Sequence, residues 1–465
     1  MRKTLVVAMN FMLGNDAWAN EALSGSIKAN LPSLIKRFDH ATLFCLRGRV
    51  LESTSLVIRA SVPLVSLGEM VHITLSGNAP HLLPAQVVGF RESDVFLMPL
   101  GETTGLSPNS QVIPSTKPFM LKVGYGLLGR VLSGLGEPID SGPALDDVAD
   151  LVEWPLHRSA PDPYTRKPVD SPLSLGIRAI DSLLTVGKGQ RIGLFAGSGV
   201  GKSSLMGQMV KNTEASIVVV CLVGERGREV IEFINNTLSE EGRKKCVMVV
   251  ATSDKPSLVR YLCCYVATAI AEWFRDQGED VLFLMDSATR FARAQREIGL
   301  ALGEPPARQG FPPSVFAEIP RLMERTGSSD KGSITALYTV LVQGGDFDEP
   351  IADEVRGILD GHIVLNRSLA ERGHWPAIDI LPSLSRVMNH IVDQKHKSAA
   401  TKIRALLSAY EKNRDLIMLG AYKNGSDPEV DVAIKKLTKI NSFLQQPINE
   451  KTNYNQARND LVNLL

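Results

Sequence analysis

The sequence predicts an α/β protein: a parallel sheet covered by helices, preceded by a small antiparallel β-barrel domain and followed by a helical domain. Three observations carry this. Short β-branched stretches recur about every ten residues between 41 and 112. Continuous apolar strands then alternate with helical stretches, the pattern of a parallel sheet buried on both faces. After Ser385 strand signals stop, and apolar residues return at three- and four-residue steps. With 465 residues, 44% apolar and 22% charged, the chain can bury large cores and has room for about three domains.

Residues 1–40 stand apart as a leader or an oligomerisation segment. Arg2 and Lys3, the apolar Leu5–Met9 and Ala17-Trp18-Ala19 follow the order of a secretory signal. Asn10, Gly14, Asn15 and Asp16 interrupt its apolar part, so a flexible leader or a misassigned start is the plainer reading. Residues 41–112 supply the barrel-like strands Thr42–Leu46, Ser55–Ala60, Val71–Leu75, Ala85–Gly89 and Asp94–Met98. A connector rich in Gly and Pro opens the long middle region, 113–384. Strands are expected there at Arg191–Phe195, Ile217–Val223, Val247–Ala251, Val281–Met285 and Ile334–Val342. Helices are expected between them at Lys202–Asn212, Arg228–Leu238, Ser257–Asp276 and Phe291–Ala301. In the last region, 385–465, Lys395–Leu419 and Glu429–Gln445 read as helices separated by Gly425 and Pro428.

Composition excludes some function classes. Lys plus Arg total 51 against 50 Asp plus Glu, so there is no bulk electrostatic footprint for nucleic acid or membrane. The longest apolar runs are far too short to span a bilayer. Five cysteines with no metal-type or redox-type spacing fit a reducing cytosol, and Cys221 and Cys246 read as small core residues.

The strongest chemical signal is Ala196-Gly197-Ser198-Gly199-Val200-Gly201-Lys202-Ser203-Ser204, placed after a predicted strand and at the start of a predicted helix. This is a phosphate-binding loop in its required context. Glycines let successive N–H groups face phosphate oxygens, and the helix start adds partial positive charge. Lys202 can reach the β- and γ-phosphates, and the Ser203 hydroxyl can ligate magnesium. Ala196 stands where the strict motif has Gly, a small-for-small change.

Two strands end in acids. Val281–Asp286 places Asp286 where, in a parallel sheet, it sits beside the loop and can orient magnesium through water. Val219–Glu225 places Glu225 at the same edge, positioned to polarise a water, with Arg226 next to it to steady negative charge. Spacing alone leaves a second reading open, in which Glu225, Arg228 and Glu229 only serve the following helix.

The segments "GLFAGSGVGKSSL", "GERGREVIEF", "DSATRFARAQREI", "GEPPARQGFPPSVFAEIPRLMERTG", "GSITALYTVL", "ADEVRGILDGHIVLNR" and "PAIDILPSLSRVM" resemble the type III secretion ATPase family. Its relatives are the flagellar export ATPase and, more distantly, catalytic subunits of rotary ATP synthases. The resemblance runs from about Gly124 to Gln446. It implies a RecA-like P-loop core that hydrolyses ATP with Mg2+. It implies that Lys202 and Ser203 hold phosphate and magnesium, Glu225 activates the lytic water beside Arg226, Asp286 supports the magnesium and Arg290 lies near the γ-phosphate. It implies that Tyr338 and Trp375 line the nucleotide site, Trp375 standing where relatives carry a tyrosine against adenine, and that Arg386 reaches into a neighbouring subunit's site. The implied assembly is a homo-hexamer, cytoplasmic and peripheral at the inner membrane's export gate. The implied partners are a central stalk, stator-type secretion proteins and chaperone–effector complexes, with no nucleic acid.

"ADEVRGILDGHIVLNR" and "PSLSRVMNHIV" look nearer the virulence-type enzymes than the flagellar export ATPase, which is the alternative. A ring-shaped nucleic-acid translocase is disfavoured by the neutral charge and the lack of a basic, aromatic-interleaved stretch in 41–112. A rotary synthase subunit would need a membrane rotor partner.

Overall fold

In the computed structural model, residues 46–54, 56–76, 81–115, 117–237, 240–342 and 346–465 are described. The segment 1–40 and all but Leu46 of the expected strand Thr42–Leu46 lie outside them. Six strands close into a barrel in the order β1-β2-β5-β4-β3-β6: β1 Gly48–Ser53, β2 Ile58–Ser61, β3 Met70–Leu75, β4 His81–Arg91, β5 Asp94–Pro99 and β6 Gln111–Pro114. Alternation fills it, because every second residue points inward. Val50, Ile58, Ala60, Val71, Ile73, Val87, Leu97 and Val112 form that interior.

The connector contributes strands that sequence patterning left unassigned. β7 (Met120–Val123) and β9 (Val152–Pro155) pair antiparallel, and β8 (Val131–Ser133) joins the main sheet beside β12 (Cys246–Thr252). Each has three or four residues, too few to show periodicity.

The main sheet has nine strands. Its path is β17-β16-β10-β15-β13-β11-β12-β8, with β14 (Gly327–Ser328) paired to β15. The remaining strands are β10 Arg191–Ala196, β11 Ile217–Glu225, β13 Asp280–Asp286, β15 Ser333–Leu341, β16 Gly361–Leu365 and β17 Ile378–Ser385. All pairs among β8, β10, β11, β12, β13, β15 and β16 are parallel. Every residue of β11 is buried, as a strand covered on both faces requires. β16 and β17 extend the sheet beyond the sequence expectation, β17 antiparallel at the edge, where Pro382 costs no ladder bond.

Helix Lys202–Asn212 has the predicted bounds, as does Ser257–Asp276. The expected helix Arg228–Leu238 instead runs Gly227–Glu232 and widens into a π-helical turn at Phe233–Thr237. Helices Gln394–Met418, Pro428–Leu444 and Tyr454–Asn463 complete the C-terminal region. It docks on the core through Ala399, Ile403, Leu406, Ile440, Phe443 and Leu461, which pack in one cluster with Ile180 and Leu183. Cys221, Cys246, Cys263 and Cys264 are buried and free, consistent with a packing role.

Candidate functional site

The site lies at the carboxyl ends of the parallel strands. Register sets its width. Ala196 pairs with Leu341, Met285 with Tyr338 and Leu222 with Asp286, so β10 and β15 end level, β13 stops two residues short of them and β11 runs three residues beyond β13. That overhang carries Glu225. A bulge between Val223 and Glu225, with Gly224 at φ 69°, turns the strand end. A Cβ at Gly224 would stand 2.9 Å from Cδ of Arg290, so the glycine also admits that arginine.

After β10 the loop 197–201 bends through Gly199 (φ 76°) and Gly201 (φ 79°). Gly201 caps the Lys202–Asn212 helix without any side-chain acceptor, which leaves the first-turn N–H groups free for an anion. A Cβ on Gly201 would lie 2.6 Å from the Trp375 ring, so the loop and that aromatic touch. Ser198, Ser203 and Ser204 are exposed on the rim and Val200 is buried beneath it.

Lys202 Nζ lies 2.5 Å from Asp286 Oδ1 and 3.8 Å from Glu225 Oε1. Arg290 Nη2 donates to Glu225 Oε2 at 3.2 Å. Thr339 Oγ1 donates to Asp286 Oδ1 at 2.7 Å, and Thr289 Oγ1 accepts the backbone N–H of Leu341 at 2.9 Å. Glu225 is 7% exposed, yet its Oε1 has no hydrogen-bond partner, and neither has Arg290 Nε. Burial pushes the Glu225 carboxyl up to about 7, aided by the Asp286 charge and Glu229 and opposed by Lys202 and Arg290. A carboxyl poised near neutrality, short of a partner and beside a phosphate loop is what a base for water activation needs.

Two spaces adjoin the loop. A cleft of about 880 Å3 is lined by Phe195–Ser198, Arg293, Val342, Phe347, Asn366 and Asp379. A smaller one, about 410 Å3, is mostly apolar and lies between Val200, Gly201, Ser204, Leu365 and Trp375–Ala377 on one side and Gln446–Ile448 on the other. Gln446 N–H donates to Trp375 O at 2.9 Å, which fastens the two walls together. The apolar second space suits a purine base, while the first adjoins the phosphate loop at Gly197 and Ser198.

The structure brings together Gly197, Ser198, Gly199, Val200, Gly201, Lys202, Ser203, Ser204, Glu225, Asp286, Arg290 and Trp375. Three residues lie elsewhere. Tyr338 is fully buried, its hydroxyl 3.0 Å from Thr326 Oγ1, and it lines neither space. Strand alternation is the cause: Tyr338 faces the core, and its neighbour Thr339 faces Asp286. Arg226 points into solvent beside Glu229, and the cation against Glu225 is Arg290. Arg386 follows β17, exposed, and among the described residues its side chain makes no hydrogen bond or ion pair. Thr339, Gly224 and Gln446 carried no sequence signal, because each is placed by a partner distant in the chain, and Arg293 enters only by lining the cleft.

The donor set fits a nucleotide with a hydrated divalent cation. Lys202 and the free helix start offer positive groups, while Asp286 and the Ser203 hydroxyl offer hard oxygen atoms. Among the described residues no three His, Cys, Asp or Glu side chains form a metal cage. No described helix is long and apolar enough to cross a membrane.

Comparison with known proteins gives three family matches. Residues 176–385 match "ATP synthase alpha/beta family, nucleotide-binding domain", residues 50–115 match "ATP synthase alpha/beta family, beta-barrel domain", and residues 392–463 match "T3SS EscN ATPase C-terminal domain". The chain is 51% identical over 418 residues to the flagellum-specific ATP synthase of Bacillus subtilis, covering 90% of this chain and 95% of that one. It is 49% identical over 407 residues to the type 3 secretion system ATPase of Xanthomonas euvesicatoria, covering 88% and 91%. The assembled ATPase EscN of enteropathogenic E. coli superposes with TM-score 0.84 at 45% identity, covering 90% of this chain and 99% of that one. A second structure, of EscN with its central stalk EscO, gives TM-score 0.83.

Proposed function

Because the chain belongs to the ATP synthase alpha/beta family, among the ATP hydrolases of type III secretion and flagellar export, we propose that it hydrolyses ATP to drive protein secretion through a type III apparatus. The observation that carries this reading is the loop lysine held against Asp286 with the under-partnered Glu225 carboxylate 3.8 Å from the same ammonium.

In this reading Lys202 and the amides of Gly197–Lys202 hold the β- and γ-phosphates, giving up the Asp286 contact when phosphate arrives. Glu225, ionised, orients and deprotonates the attacking water, and Arg290 keeps it in place. Magnesium, when bound with the nucleotide at Ser203 and Asp286, would neutralise charge on the phosphates. Trp375 and the apolar space beside it receive the base. Arg386, exposed and unpaired, is supplied to the site of the next subunit, where such an arginine is worth about a thousandfold or more in rate. The assembly is then the homo-hexamer that the resemblance implies, which one chain carrying both halves of the shared site permits. The EscN–EscO complex supports a central stalk as partner. Stator-type proteins, chaperone–effector complexes released and unfolded at the export gate, and a cytoplasmic, peripheral membrane location complete the proposal. The apolar tip at Leu416, Met418 and Leu419, exposed between the two long C-terminal helices, offers a contact for such proteins. Relatives of nearly equal identity are named flagellum-specific ATP synthase and type 3 secretion system ATPase, and the virulence-type reading rests on the segments 352–367 and 382–392.

The test is specific ATPase activity across protein concentration with sizing in parallel. Turnover should rise as rings form, and Arg386→Ala should assemble and bind ATP while losing about a thousandfold in kcat. Full turnover by a lone subunit, or unchanged activity in Arg386→Ala, would overturn the shared site.

A further inference from the structure

Gln190 is fully buried at the start of β10, at the opposite end of that strand from the phosphate loop. Its side-chain amide has every bond it can use within a small space. Oε1 accepts the Gly187 N–H at 2.9 Å, and Nε2 donates to Asp360 O at 3.0 Å and to Ser385 Oγ at 3.1 Å. The amide orientation is dictated by chemistry: reversed, it would set NH2 against an N–H and oxygen against a carbonyl. Because Ser385 Oγ accepts here, its own proton goes to Thr185 O, 2.8 Å away. The same Asp360 carbonyl that takes Gln190 also accepts the backbone N–H of Arg386 at 3.0 Å. The Asp360 carboxylate is held in turn by Arg191, through its N–H at 3.0 Å and its Nε at 3.4 Å.

These bonds reach across the sheet. β17 is the edge strand, paired in the sheet only with β16, and Arg404 holds it from the C-terminal helix at Ile380 O (2.8 Å) and Ser383 O (3.0 Å), both before its last residue. Gln190 spans from β10 past the start of β16 to the last residue of β17, and that residue is followed directly by Arg386. Packing there is close: a Cβ on Gly361 would lie 2.5 Å from Leu384 O and 3.1 Å from Ser385 Cα. The arginine's side chain is free, but its backbone is pinned.

We propose that Gln190 is a positioning residue for Arg386, fixing the end of β17 so that the arginine is presented in one place to the adjoining subunit. The proposal rests on the reading of Arg386 as a residue supplied in trans. It also gives β10 two tasks, since about 20 Å of extended chain separates this anchor from the subunit's own phosphate loop.

Gln190→Glu keeps the shape and removes both donated hydrogen bonds. In the full-length, assembled protein it should lower kcat about ten- to a hundredfold, the cost of misplacing a catalytic group by an ångström or so, with KM for ATP changed less than about threefold. In an Arg386→Ala background the same substitution should cost less than about twofold, since the group it positions is already gone. Ser385→Ala, which leaves the bonds to Gly187 and Asp360, should show a smaller loss of the same kind and carries the test if Gln190→Glu does not fold. Unchanged kcat in these variants, a matching loss of ATP affinity, or a full additional loss in the Arg386→Ala background would each overturn the proposal. Unchanged turnover in Arg386→Ala alone would instead remove the reading on which it rests.

Discussion

The two ends of the parallel sheet use the same kinds of residue and treat them in opposite ways. At the carboxyl ends, Lys202, Glu225, Asp286 and Arg290 share too few bonds: Glu225 Oε1 and Arg290 Nε have none, although both are buried. At the amino ends, a buried ion pair and a buried amide are fully bonded. Arg325 donates to both oxygens of Glu272, at 2.9 and 2.5 Å, and to Leu156 O at 3.0 Å, and the pair is almost wholly buried. Gln190, at the start of β10, makes three amide hydrogen bonds, with oxygen and both donors engaged. Buried polar groups are costly unless paired. At the carboxyl ends that cost is left for a ligand to relieve; in the Arg325–Glu272 pair and at Gln190 it is met by the protein itself, which makes them part of the frame. Substitutions at the two ends should therefore fail in different assays.

Glu225→Gln should give the largest effect, a loss of about a hundred- to ten-thousandfold in kcat with ATP binding retained. Near-normal turnover would show that the unpartnered carboxylate is not the base. Arg325→Met should do the reverse, lowering stability by about 3–5 kcal/mol because Glu272 is left buried and alone. Urea unfolding reads this, and a loss of turnover without loss of stability would break the contrast between the ends. Trp375→Ala should raise KM for ATP about tenfold with little change in kcat, as expected for a contact made equally in ground and transition states. The smallest effect concerns pH. In the proposed role Glu225 works ionised, and its carboxyl is pushed up to about 7, so kcat/KM should climb with pH and level off above that value. The Glu229 carboxylate, by accepting from the protonated Glu225 carboxyl, raises the Glu225 value, so Glu229→Ala should move the inflection to lower pH. An inflection that stays put would assign it to another group.

Legibility in the sequence followed distance along the chain. The phosphate loop was readable because its chemistry is local: glycines, a lysine and a hydroxyl within nine residues, between a strand and a helix. Asp286 and Glu225 were readable as strand ends, and register then brought both to Lys202. The barrel, the parallel core and the terminal helices were readable from periods of two and 3.6. β16 and β17 were not, since five residues and a proline-containing edge strand give little pattern.

What the sequence determined by itself was which groups the protein owns and the order of its elements, because motif spacing and hydrophobic period are properties of neighbours. What only the tertiary structure decided was which face each group takes. Thr339 rather than Tyr338 turns to Asp286, Arg290 rather than Arg226 turns to Glu225, and Trp375 comes to rest on Gly201. Each choice depends on strand register and on partners tens to hundreds of residues away, and a shift of one position would exchange the two faces of a strand.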